Sequence, residues 1–311
     1  ILAQVSPPGL SGVSGPALRA APRPPGASMV LWLIGLGLGD ADDITVKGRD
    51  ALKRCAAVYL EEYTSVLPGL GREALAEAYG VEEIQEADRE FVESGCEQML
   101  ERSREEEVAF LVVGDPLCAT THCDLCLRAR QMGVTVSVVH NASVMNAIAA
   151  CGLQLYRFGE TVSIPFWTSS WRPASFYDKV LANHRAGLHS LCLLDIKTKE
   201  QSEENLMRGR KIYEPPRFMT VAQALEQLAE VEQDRREGIC ARTALVVGVA
   251  RLGKADQAIA FGTLEAVAKA DLGGPLHSLV VCAGELHELE REFLEFHRAL
   301  VEVPPDGTAT A

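Results

Sequence analysis

Three short segments hold residues whose types and spacing could do chemistry. The first is GLGLGD, Gly35–Asp40, directly after a buried-strand pattern. Glycines at such a place let the backbone approach a ligand closely. The segment is not the GxGxxG dinucleotide fingerprint, because Asp40 occupies the sixth place. A ribose-binding acid about 20 residues on is also missing. The nearby acids Glu61 and Glu62 run into a tyrosine-containing turn instead of a helix. The second segment is GDP, Gly114–Pro116, whose carboxylate suits hydroxyls or the positive end of a ligand. The third is HNAS, His140–Ser143, with Asn141 as the expected N-cap of a helix. N–H groups at a helix start bind carboxylates. Taken singly, these also read as an ordinary glycine turn, a common loop and a capped helix.

Other candidates carry less. Cys118, His122, Cys123 and Cys126 have a CxxxHCxxC spacing that fits no tetrahedral site, and no second Cys/His pair completes one. Thiols without metal are expected there, and no metal is expected in the chain. GxSxG, HExxH and Walker A patterns are absent from the sequence.

These segments need strands and helices to position them. VLWLIGL from Val30, VAFLVVGDP from Val108 and VTVSVVH from Val134 read as buried strands. ITVKGRDALKRCAAVYLE reads as a helix running into a short strand, and about 72–107 as a helical acidic region. THCDLCLRARQMG reads as a helix closed by Gly133. A second set follows in TVSIPF, SLCLLDI, ALVVGVARLG and HSLVVCAG, with MTVAQALEQLAEVEQDRR as a long helix. Strands alternating with helices imply an α/β fold, its sheets parallel or mixed and covered on both faces. The expected division is 29–141 for an N-terminal α/β domain and 142–302 for a C-terminal one. Residues 1–28, rich in Pro, Gly, Ala and Ser, are expected to be a disordered extension, and 303–311 a frayed tail. The prolines of 1–28 argue against the amphipathic helix of a transit peptide.

Bulk properties narrow the class. The 311 residues are 47% hydrophobic and 23% charged, enough for a sizeable core without staples. A net charge of −13 disfavours nucleic acid as a partner. Nine cysteines, an odd number, fit a reducing compartment and hence a cytoplasmic location. No apolar run reaches the ~18 residues that span a bilayer, so no membrane role is expected.

Together the segments resemble the diphthine synthase family of the tetrapyrrole-methylase-like superfamily. The matching stretches run in order from LIGLGLGDADDITVKG through YLEEYTSVL, AFLVVGDP, ATTHCDL, HNASVMNA, CGLQLYRFGETVSIPFWT and WRPASFYDK to LCLLDIK, GRKIYEPPRFMTV and PLHSLVV. They span Leu33 to Val281, and ITVKG, EYTSVL and YEPPRFM separate this family from corrin-pathway relatives. The resemblance implies two α/β domains with S-adenosyl-L-methionine in the cleft between them, S-adenosyl-L-homocysteine as product, and a homodimer. It implies elongation factor 2 as the protein substrate. Four methylations would act on its 3-amino-3-carboxypropyl-histidine, three on the amine and one on the carboxylate, giving the methyl ester.

Carried over residue by residue, the resemblance implies cofactor contacts at Leu38, Asp115, Cys118, Ser143, Val144, Leu194, Leu252 and His277. Cys118 departs from the family, which has a small residue there, often glycine; a backbone contact would tolerate it, while its side chain would crowd the cofactor. Leu38, Val144, Leu194 and Leu252 would form apolar walls, and Asp115 and Ser143 polar contacts. His277 otherwise reads as a hydrogen-bonded structural histidine. No residue is assigned as a general base, so the catalytic set stays unknown. Phe166, Trp167, Trp171, Arg172 and Tyr213 are expected either to line the substrate's approach or to be ordinary packing. Competing expectations are a tetrapyrrole or corrin methyltransferase of the same fold, a nicotinamide-dependent oxidoreductase built on GLGLGD, and a non-catalytic partner of elongation factor 2.

Overall fold

A computed structural model describes residues 30–63, 67, 69–201, 203–210 and 212–299. The expected disordered extension 1–28 and frayed tail 303–311 lie outside the described residues.

The first half contains β1 (Val30–Gly35), α1 (Val46–Leu52), β2 (Ala57–Glu61), α2 (Arg72–Tyr79), β3 (Gln85–Ala87), α3 (Glu97–Arg102), β4 (Val108–Val112), α4 (His122–Gln131) and β5 (Thr135–Val139). Its five strands form one sheet in the order β3-β2-β4-β1-β5, and every pairing is parallel. A parallel sheet covered on both faces needs strands that are apolar throughout. The VAFLV of β4 is buried at every position. Two core clusters result, one on each face, around Leu33 and Phe110 and around Ile34 and Leu111. Full burial of each such side chain contributes about 1.5–3 kcal/mol.

The second half contains α5 (Val144–Ala147), β6 (Val162–Ile164), α6 (Ser175–Arg185), β7 (Ser190–Leu194), β8 (Ile196–Lys197), α7 (Glu203–Met207), β9 (Arg217–Phe218), α8 (Val221–Arg235), β10 (Leu245–Ala250), β11 (Ala258–Thr263), α9 (Leu264–Lys269), β12 (His277–Val281) and α10 (Glu288–Glu295). Its main sheet runs β11-β10-β12-β7-β6. Only β6 and β7 pair in parallel; the other three pairings are antiparallel. β8 and β9 form a small antiparallel ribbon. Thr220 and Gln223 cap α8 reciprocally: Gln223 N donates to Thr220 Oγ1 at 3.2 Å, and Thr220 N to Gln223 Oε1 at 3.0 Å.

The structure departs from expectation at several points. The region 72–107 is not one helical stretch. Gly80 ends α2 in the left-handed conformation at φ 67, β3 follows at the sheet edge, and a π-helical turn over Phe91–Gly95 precedes α3. Strand β11 was not anticipated. Asn141 is not the N-cap of α5: Ser143 is, and its N–H donates to Asn146 Oδ1 at 2.8 Å. Asn141 instead ties two loops together through its side-chain amide.

Candidate functional site

The glycine turn after β1 and the GDP turn after β4 are joined by a pair of backbone hydrogen bonds. Gly37 N donates to Gly114 O at 3.2 Å and Gly114 N to Gly37 O at 2.8 Å. Gly37 has φ +79, and a Cβ there would stand 2.6 Å from Asp43 Cβ, so no other residue fits without a shift. Asp43 explains the tight turn: its Oδ2 accepts from Leu38 N at 3.1 Å and Gly39 N at 2.6 Å. Asn141 then fastens this turn to the end of β5. Its Nδ2 donates to Gly35 O and to Asp43 O, both at 2.9 Å.

Asp115 does the same between β4 and β5. Its side chain is nearly buried; Oδ1 accepts from Leu117 N at 2.9 Å and Oδ2 from Asn141 N at 3.0 Å. His140 Nδ1 lies 2.8 Å from the same Oδ2. Burial alone would raise this carboxyl, but the N–H groups of Leu117 and Asn141 and the His140 ring outweigh it and hold it below the usual carboxylate range. Cys118 N closes the turn onto Asp115 O at 3.3 Å, and Ala119 follows at φ 59.

The second half supplies the facing wall. The turn after β10 presses on the glycine turn: a Cβ on Gly39 would fall 2.7 Å from Gly253 O. Arg251 braces that wall from within. Its Nη1 donates to Leu272 O at 2.8 Å and also to Gly274 O, and Nη2 donates to Asp256 O at 2.8 Å. His277 opens β12, and both ring nitrogens meet backbone. Nδ1 accepts from Val221 N at 3.3 Å, so Nε2 carries the proton and donates to Gly273 O and Gly274 O, each at 3.1 Å. Burial pushes its pKa down, so the ring is neutral near pH 7.

Between these walls lies a cavity that is open at its mouth. Leu38, Asp115, Cys118, Ser143, Val144, Leu194, Leu252 and His277 all border it, brought together from the ends of six strands in both halves. Residues that sequence reasoning missed border it too, notably Val113, Val249, Arg251 and Lys254. Arg251 and Lys254 lie within the ARLGK stretch around Leu252, the only signal that pointed to them.

The aromatic set expected along the substrate's approach does not reach this cavity. Arg172 stacks 4.1 Å over Trp167 and binds Glu230 at 2.8 Å, while Trp167 Nε1 donates to Pro173 O at 2.9 Å. Phe166 packs on the second-half core beneath Arg217. Tyr213 borders a neighbouring groove. No group of His, Cys, Asp or Glu among the described residues could hold a metal ion.

The fold and the site define a class. The family model for Tetrapyrrole (Corrin/Porphyrin) Methylases matches residues 30–268, and the chain is a methyltransferase of that class. A curated mouse protein (Mus musculus), diphthine methyl ester synthase, is 59% identical and is covered completely by 89% of this chain. The human protein of that name (Homo sapiens) is 57% identical, with 90% of this chain matching 97% of it. A solved structure from Entamoeba histolytica, assigned as a diphthine synthase, superposes with a TM-score of 0.76 at 42% identity, covering 87% of this chain and 98% of that one. The chain therefore belongs to the diphthine methyl ester synthase family. The oxidoreductase reading of GLGLGD is overturned by this membership.

Proposed function

We propose that the cavity binds S-adenosyl-L-methionine and that the chain methylates the 3-amino-3-carboxypropyl-histidine of elongation factor 2 to diphthine methyl ester. The observation that carries this reading is the convergence of all eight resemblance-derived positions on one cavity between the two sheets. The chemistry of the lining fits the cofactor. Val113, Val144, Leu194, Val249 and Leu252 offer apolar walls for an adenine ring and a methionine stem. Ser143 offers a hydroxyl, and Asp115 a carboxylate for ribose hydroxyls or an ammonium group.

S-adenosyl-L-methionine supplies a methyl group already activated on a sulfonium. The chain's own part is then to hold donor and acceptor in line, which can contribute ~7–11 kcal/mol. The bracing of the walls serves that purpose: the side chains of Asp43, Asp115, Asn141 and Arg251 fix the turns through hydrogen bonds to backbone groups. Asp115 is ionised and His277 neutral near pH 7. A carboxylate acceptor is ionised near neutral pH and needs no base.

The family resemblance further implies a homodimer, and the exposed side chains of Leu289, Phe293 and Phe296 on and just after α10 give an apolar surface that supports it. A cytoplasmic location is supported by nine cysteines with no disulfide among the described residues. No described helix is long and apolar enough to cross a membrane. Nucleic acid is not a partner in this reading.

The test is mass spectrometry of elongation factor 2 carrying the unmethylated histidine arm, incubated with the chain and S-adenosyl-L-methionine. Stepwise addition of four methyl groups supports the proposal. An unmodified arm beside methylation of a corrin would turn the reading to a tetrapyrrole substrate.

A further inference from the structure

A hollow adjoins the cavity. The two share Ala119, Leu193, Leu194 and Ile196 as a common wall. On the hollow's side of that wall the described lining holds a single cation, Arg89, and a single carboxylate, Asp195, together with Tyr63. Tyr63 and Arg89 also line a wider groove whose rim carries Glu62, Asp88, Glu90, Glu93 and Glu200 alongside Lys197 and Lys199. Its carboxylates outnumber its cations, which suits the basic surface of a protein partner.

Arg89 and Asp195 keep capacity for a ligand. The Arg89 guanidinium lies 5.3 Å from the Tyr63 ring centre, and its Nε is 4.0 Å from Glu93 Oε1, too far for a hydrogen bond. It retains donors in a planar fork that matches a carboxylate. Asp195 uses Oδ2 for both of its described side-chain contacts, Phe166 N at 2.9 Å and Lys197 Nζ at 3.6 Å. Its Oδ1 remains an acceptor.

The acceptor arm under the proposed function carries an amine and a carboxylate on one carbon. Each must in turn reach the methyl group of a freshly bound donor at the same place, so the other must be held aside. We infer that the hollow is the acceptor subsite: Arg89 holds the arm's carboxylate during the amine methylations, and Asp195 holds the resulting ammonium during ester formation. In each step the acceptor supplies both electrons of the new N–C or O–C bond. The carbon–sulfur bond breaks, and its electron pair stays on a neutral thioether. The amine sheds one proton to solvent before each of its three methylations, and the carboxylate sheds none. Arg89 and Asp195 are binding residues in this scheme and take no proton.

The inference rests on the proposed function, and its test separates the two. R89Q, R89K, D195N and D195E of the full chain are compared with the unsubstituted protein in two measurements. Calorimetry with S-adenosyl-L-homocysteine reads the cofactor cavity. Time-resolved mass spectrometry of elongation factor 2 bearing the unmethylated arm reads the acceptor. R89Q is expected to bind the cofactor product within about twofold of the parent yet lose about tenfold in kcat/KM for the first methylation, with R89K recovering part of it. D195N keeps an acceptor for Phe166 N and is expected to accumulate the trimethylated, non-esterified arm, with D195E closer to the parent. Parental rates and product distribution in both R89Q and D195N would overturn the inference and leave the proposed function standing. Loss of cofactor binding in step with loss of methylation would also overturn it, marking the residues as structural. No methylation by the unsubstituted protein would sink the proposed function, and the subsite with it.

Discussion

Asp115 and His140 meet across two loops of the first sheet, His140 Nδ1 standing 2.8 Å from Asp115 Oδ2. The same oxygen accepts from Asn141 N, and the other from Leu117 N. Asp115 is thus a clamp between the ends of β4 and β5 as well as a wall of the cavity. Charge-assisted hydrogen bonds contribute about 1.5–3 kcal/mol each. Asp115→Ala should therefore lower stability by roughly 2–4 kcal/mol and weaken cofactor binding strongly. Asp115→Asn keeps one acceptor oxygen and should fall between the two. Denaturant melts paired with calorimetry would check this; an Asp115→Ala protein with parental affinity would contradict the clamp.

Gly37→Ala should be more damaging than its size suggests. The position has φ +79, and the new Cβ would lie 2.6 Å from the Asp43 side chain that organises the turn. Strain of about 1–3 kcal/mol is expected from the backbone alone, with cofactor binding lost as the turn is displaced. Gly80→Ala serves as the control. It shares a positive φ of 67 but has open space around a Cβ, so stability should fall while binding stays.

A pH dependence follows from the buried carboxylate of Glu290. It accepts from Gln154 N at 3.0 Å and His287 N at 2.9 Å, and pairs with Arg157 at 2.7 Å and His189 at 3.2 Å. Burial raises its pKa, but these partners outweigh that and lower it. A lowered folded-state pKa means the group binds its proton more readily when unfolded. Its stability contribution is present above the unfolded value of about 4.3 and is lost as pH falls through the folded value. The melting temperature should drop more steeply below about pH 4.3 in the parent than in Glu290→Gln. At pH 7 Glu290→Gln should cost about 2–3 kcal/mol, less than a fully buried pair because Arg157 is partly solvated. Parallel pH profiles would contradict the assignment.

Cys118 is a milder case. Its backbone N–H already closes the turn onto Asp115 O, and Ala119 takes up the left-handed conformation after it. Cys118→Gly should therefore change cofactor affinity by less than about threefold, a difference near 0.6 kcal/mol. A large gain in affinity would show instead that the thiol crowds the cavity.

Much of the fold is legible in the sequence because its strands are continuous apolar runs. β1, β4 and β5 are all present in the first sheet, and TVSIPF, SLCLLDI, ALVVGVARLG and HSLVVCAG each contribute a strand to the second. Two strands of the five-stranded sheets are not legible. The QEA of β3 is short, half polar and at the sheet edge, so it carries no alternation signal. The AIAFGT of β11 is rich in small residues and relies on pairing with β10. Asn141 misled because its type suits a cap, whereas its side chain satisfies carbonyls 98 and 106 residues away. Arg251 was invisible as a brace for the same reason: the carbonyls of Leu272 and Gly274 reach it only through the fold. GLGLGD, GDP and HNAS stand out by residue type, but the full set of eight cavity positions does not. That set follows from the family resemblance.

The central claim is that this cavity holds S-adenosyl-L-methionine. Isothermal titration of the full chain with S-adenosyl-L-methionine and S-adenosyl-L-homocysteine, beside Asp115→Ala and Cys118→Gly, tests it most directly. Saturable binding of both ligands, one per chain, retained in Cys118→Gly and strongly weakened in Asp115→Ala, is the predicted result. No heat of binding from either the unsubstituted chain or Cys118→Gly would contradict the cofactor site.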